Sequence, residues 1–483
     1  MNYIQKLISN LQISNHNLAI DHCNVNVTYN ELLIKINTIS IQLQEENSQR
    51  IGLILDTSIN SIAAILSCWF SGKSYVAISP DYPEERINTI IKLGSIQCII
   101  SNSYTLEKLK LNQSIKTITV DQLVPSIEKV KFHFPNEDDE AYVLFTSGTT
   151  GQPKGVPIRH SNLNNFVVAF DKIGYQLNNQ DRFLQMFDLT FDLSIMSFLI
   201  PLTIGSSIHI IDKRKIKPIA IYEILESKKI TFALLVPSVV KLLEPYIKDE
   251  TIESLKYTQF CGETLTISQV SSWRKICPNS EIDNVYGPTE ATIYCSQYRI
   301  PNHSEIQHVN GIVSIGNPLY GTAFEIIENE LLISGKQVTS GYISNLNSHS
   351  FIQHQNIRFY KSGDIASYEN DLYFCKGRLD RQIKIQGYRV ELSEIEYVFN
   401  LNFPDYESVV LFINDNNMDS LLVLCYLDRN NRLNNETISS SLKKQLPSYM
   451  IPNIFIAISE WPLNSNGKID RNKLSHDIFN YKS

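Results

Sequence analysis

With 483 residues, 43% of them apolar and 10% aromatic, the chain is too long for one ordinary hydrophobic core, so at least two domains are expected. Its formal net charge of −7 argues against nucleic acid or an anionic membrane as the main partner. Its apolar stretches are interrupted well before the roughly 20 residues that a spanning helix needs, which excludes stable membrane insertion.

The start, MNYIQKLISNLQIS, is amphipathic and lacks the charged and apolar regions of a secretion signal. Eight cysteines lie far apart with no CxxC pair, so reduced thiols in a cytoplasmic protein are expected. Short β-branched runs then alternate with helical patterns: RIGLIL with INSIAAILSCWF, QCIIS with YTLEKLKL, SIHIID with IAIYEILESKKI, and FALLV with PSVVKLLEPYI. This alternation predicts an α/β fold with layered, largely parallel strands. From about Gly311 to Leu379 short strands and turns (GIVSIGNPLYGTAFEII, ELLISG, DLYFCKGRLD) predict a β-rich subdomain. After it, residues 380–483 carry their own pattern of strands and helices and read as a small α+β domain, so that residues 1–379 form the large one.

The strongest local signal is AYVLFTSGTTGQPKGVPIRH, residues 141–160, an apolar strand followed by a loop of Gly, Ser, Thr and one Lys. Glycines such as Gly148 let backbone N–H groups approach phosphate oxygens, Thr146, Ser147, Thr149 and Thr150 add hydroxyl donors, and Lys154 supplies charge. A Walker loop fits poorly, because that pattern requires Gly-Lys-Ser/Thr and here Val156 follows Gly155.

The segment resembles the signature loop of the adenylate-forming superfamily, which includes acyl-CoA synthetases, adenylation domains of nonribosomal peptide synthetases and D-alanine:carrier protein ligases. Further resemblances follow in order: NVYGPTEAT (284–292), YKSGDIA (360–366), GRLDRQIKIQGYRVELSEIE (377–396) and PLNSNGKIDR (462–471). The resemblance implies an AMP-forming ligase that uses ATP and Mg2+. It places Tyr286 against adenine, Thr289 near the reacting phosphate, Glu290 on the metal, and Asp364 with Arg378 at the ribose. It puts Gly262 and Glu263 at the nucleotide as well. Lys468 is implied to stabilise charge building on the carboxylate and α-phosphate, an electrostatic role. Asp380 resembles the hinge about which a small C-terminal lid domain rotates, bringing the segment around Gly387 to a pantetheine thiol.

The substrate class rests on fewer residues. Asp192 in FDLSIM resembles the residue that pairs with the α-ammonium in amino-acid-activating relatives, a charge-assisted contact of roughly 1.5 to 3 kcal/mol. Met196, Cys261 in FCGE and Ile293 are expected to narrow the pocket to about a methyl group, which makes D-alanine the leading substrate among small amino acids. The chain ends soon after the lysine motif, so a separate phosphopantetheinylated carrier protein is the expected partner. An acyl- or aryl-CoA ligase acting on a non-amino acid is the alternative. Three departures stand out: Ala77, Ile78 and Ser79 replace the family's Pro, hydrophobe and Asp, Asn329 replaces Gly, and Ser362 replaces Thr.

Overall fold

β-Branched runs bounded by turns, with apolar helices between them, build two sheets in which most strands run parallel, because a helical crossover gives the chain the length to return and pair parallel. The computed structural model describes residues 2–14, 16–148, 152–247, 251–343, 348–385, 387–413, 421–428, 432–463 and 469–482. These form two compact units, one comprising Met1–Pro80, Ile91–Phe145 and Gly155–Leu379, the other Asp81–Ile90, Thr146–Lys154 and Asp380–Ser483. Two segments that sequence reading places in the large domain thus group with the C-terminal residues.

One sheet, counted over the described residues, has six strands in the order Lys116–Thr119, Cys98–Ser101, Arg50–Ile54, Ser74–Ile78, Glu140–Thr146 and Lys154–Arg159. The first five are parallel neighbours. A second sheet has nine, and six of these are parallel in the order Glu281–Tyr286, Tyr257–Phe260, Phe232–Leu235, Arg182–Gln185, Ser207–Ile210 and Leu18–His22. The helix Ile59–Phe70 is buried along nearly its whole length, and Asp192–Ile204 likewise, so both carry apolar residues on all faces rather than on one stripe.

The β-rich part is antiparallel: Thr322–Ile327, Glu330–Gly335, Ile357–Glu369 and Phe351–His354 follow one another, and Leu372–Arg378 pairs with the long strand Ile357–Glu369. Glu328 and Asn329 join the first two in a two-residue turn with φ of 50° and 67°. Asparagine tolerates that left-handed conformation, which accounts for its standing where glycine is usual. In the second unit the hairpin Gln382–Ile385 and Tyr388–Glu391 precedes a sheet of Ser408–Ile413, Leu421–Leu427 and Ile454–Ile458. The helices Leu392–Asn402 and Asn435–Leu442 contribute to one of its apolar clusters, and Arg471–Lys482 to the other. No helix among the described residues is long and apolar enough to cross a membrane, and none of the eight cysteines forms a disulfide.

Candidate functional site

Within the first unit the strand Glu281–Tyr286 delivers Tyr286 to the end of the larger sheet, where Gly287 turns the chain. A Cβ on Gly287 would lie 2.5 Å from Tyr294 Cα, so no other residue fits the approach. Thr289–Ala291 form a single 3-10 turn, followed by Thr292 and Ile293 with φ of 58° and 71°. A β-branched isoleucine in the left-handed region is strained, and such strain persists only where neighbours hold it.

The holder is Gln337, a residue that sequence reading missed. Its Nε2 donates to the carbonyls of Ala291 and Thr292 at 3.3 Å and of Tyr294 at 2.8 Å, and Thr292 Oγ1 donates to the Gln337 main-chain carbonyl at 2.5 Å. Glu290, fully buried, accepts the Tyr342 hydroxyl at 2.8 Å, while its carbonyl accepts the Thr339 N–H at 2.8 Å. No pattern in SGKQVTSGY announces an amide that serves a turn some forty residues upstream.

Asp364 lies on the strand Ile357–Glu369 directly opposite Arg378. Its Oδ1 accepts Arg378 Nη1 at 2.7 Å and its Oδ2 accepts the Tyr286 hydroxyl at 2.5 Å. Burial, then the Asp364 charge, push the Tyr286 phenol well above its ordinary range, so it remains a donor. Ser362 keeps the hydroxyl that threonine would supply: it accepts the Asp364 N–H at 3.0 Å and donates to the Leu331 carbonyl at 2.7 Å. Tyr286, Asp364 and Arg378 are therefore one hydrogen-bonded group.

Asp192 is the first residue of the helix Asp192–Ile204 and is 8% exposed, so its carboxylate stands at the positive end of the helix dipole. Met196 follows one turn later, and Met196, Cys261 and Ile293, all buried, belong to the same apolar cluster. Gly262 has a φ of 91°. Glu263 accepts the Ser238 N–H at 2.8 Å and its hydroxyl at 3.2 Å, so its carboxylate serves the start of the helix Ser238–Leu243.

In the second unit, Gly148 is required as glycine: a Cβ there would lie 1.9 Å from the Gln152 carbonyl oxygen. Thr146 Oγ1 is buried without a hydrogen-bond partner, and Lys154 is 7% exposed. A backbone that only glycine can follow, with an unsatisfied hydroxyl beside it, fits an anion cradle. Asp380 Oδ1 accepts the Gln382 N–H at 3.1 Å, and Gly387 has a φ of 85° in the hairpin. Thr149, Thr150 and Lys468 lie outside the described residues.

Residues 14–343 match the family of AMP-binding enzymes. The chain belongs to that family. It is 33% identical over 476 residues to the D-alanine–D-alanyl carrier protein ligase of Staphylococcus epidermidis, covering 95% of this chain and 96% of that protein. It is 30% identical over 470 residues to gramicidin S synthase 2 of Brevibacillus brevis, where 93% of this chain spans only 10% of the relative. Among solved structures it is similar to the Vibrio cholerae adenylation domain AlmE in complex with glycyl-adenosine-5'-phosphate, with a TM-score of 0.87, 25% identity and coverage of 99% and 98% of the two chains. As in such AMP-binding enzymes, the fold is mixed α/β with layered sheets and a small C-terminal domain.

Proposed function

We propose that this chain activates a small amino acid, D-alanine foremost, as its aminoacyl-adenylate with release of pyrophosphate, and passes it to the phosphopantetheine thiol of a carrier protein. The observation that carries the reading is Asp192, a buried carboxylate at a helix start with Met196 on the next turn. A carboxylate at that place offers an α-ammonium a charge-assisted contact, which a fatty or aromatic acid has no cation to make. Buried Cys261 and Ile293 favour a short side chain. The relatives support the same class: one is named a D-alanine ligase, and the AlmE domain holds a glycyl adenylate.

The Tyr286, Asp364 and Arg378 group suits a nucleoside, with the carboxylate accepting ribose hydroxyls and the guanidinium hydrogen-bonded to its other oxygen to orient it. Gly148, Thr146, Ser147 and Lys154 suit phosphates. Glu290 suits Mg2+, since that ion binds through one or two carboxylates and takes its other ligands from phosphate and water. When bound, Mg2+ would neutralise charge on the phosphate oxygens. Lys468 is assigned to the reacting carboxylate and α-phosphate, and Asp380 to the hinge.

The experiment is Asp192→Ala assayed by acid-dependent exchange of pyrophosphate into ATP. Losing a charge-assisted contact of roughly 1.5 to 3 kcal/mol should lower kcat/KM for small amino acids by about ten- to a hundredfold and spare residual exchange with propionate. An unchanged substrate profile contradicts the ammonium contact.

A further inference from the structure

In the second unit, donors that suit phosphate are already in use. Gly148 donates its N–H to Glu394 Oε2 at 3.3 Å, and Ser147 Oγ donates to the Arg389 carbonyl at 2.9 Å. Glu394 Oε1 pairs with Arg86 Nη1, and the two side chains are 0% and 7% exposed. Arg86 is held from beyond the loop, on the helix Glu84–Leu93. The occupant of the glycine loop is thus a carboxylate whose charge is neutralised by a buried guanidinium.

A carboxylate oxygen and a phosphate oxygen are equivalent acceptors for one backbone N–H, and a single donor cannot serve both at full strength. A buried guanidinium that loses its carboxylate is strongly unfavourable unless another anion replaces it. Removal of Glu394 from the loop and arrival of a polyphosphate are therefore coupled events, because the arriving anion can take over both the Gly148 N–H and the compensation of Arg86.

We propose that Glu394 is a built-in competitor of the nucleotide phosphates at Gly148, so that ATP enters the loop by displacing this carboxylate and departing pyrophosphate is replaced by it. Arg86 is the positioning residue that makes the exchange reversible. The inference rests on the adenylation reading above and adds to it a residue that tunes nucleotide affinity.

The test uses the full chain and compares the unmodified protein with Glu394→Gln in amino-acid-dependent pyrophosphate exchange. The neutral amide competes less well and leaves Arg86 available to phosphate. The KM for ATP should fall, about tenfold if the contact is closed nine-tenths of the time, while the KM for the amino acid stays the same. Glu394→Asp, which keeps the charge, should return the KM for ATP toward the original value. A purely structural role would lower thermal stability without separating the two KM values. Exchange that persists in Glu394→Gln with an unchanged or raised KM for ATP overturns the inference and leaves adenylation standing. Absence of exchange in the unmodified chain with every acid overturns the adenylation reading itself. Should Glu394→Gln fail to fold, hydrogen exchange on the unmodified protein decides: tripolyphosphate should speed amide exchange across residues 388–398, and unchanged or slower exchange there overturns the inference.

Discussion

Gln337 holds three carbonyls of a turn that contains a left-handed isoleucine. Replacing it with alanine leaves buried acceptors unsatisfied, at about 1 to 3 kcal/mol, and frees Thr292 and Ile293 to relax. Gln337→Ala should therefore lower both the thermal midpoint and the exchange rate, with KM for the amino acid raised because Ile293 shifts. A variant with a normal melting curve and unaltered kinetics would show that the turn holds itself. At this scale, positions marked by their own short motif were legible as local structure: Asp364 beside glycine, Glu290 in its turn, Asp192 at the start of an apolar helix. Residues that act through a distant partner were not. Glu394 stands inside a quoted motif, yet its pairing with Arg86 across 308 positions leaves no local mark.

Elements were legible wherever apolar spacing and turn residues agreed. The alternation over the first two thirds anticipated parallel layers, and the change of texture near Gly311 anticipated the antiparallel sheet. Spatial order was not legible. The hairpin of Leu18–His22 and Val25–Thr28 joins the larger sheet through Ile20 opposite Ile208, although the strands next in sequence build the other sheet. Parallel pairing depends on contacts between residues far apart, and hydrophobic pattern alone does not choose among neighbours of equal apolarity. The departure at Asn329 proved to be a tolerated turn, and that at Ser362 retained the hydroxyl that matters.

For the whole molecule, two buried histidines set a pH dependence. Burial pulls His160 and His209 down to about 4, with Asp139 and Asp21 opposing the shift respectively. In the unfolded chain each titrates near 6.5, so between about pH 6.5 and 4 the unfolded state binds the extra proton at each site. Their neutral forms therefore leave stability unaffected above about pH 6.5, and stability falls as the pH drops toward 4. The slope is about 1.4 kcal/mol per pH unit for each histidine. His160→Asn should remove roughly half of that slope in thermal midpoints measured against pH, and a flat profile for the unmodified protein would contradict the burial argument.

That the chain belongs to the AMP-binding enzymes follows from a match over residues 14–343, while the acid it activates is the claim most open to measurement. Exchange of labelled pyrophosphate into ATP, run on the unmodified chain with glycine, both enantiomers of alanine and serine, and propionate, tests it directly. Exchange dependent on a small amino acid, strongest with D-alanine, is the predicted result; exchange driven by propionate and indifferent to every amino acid would contradict it.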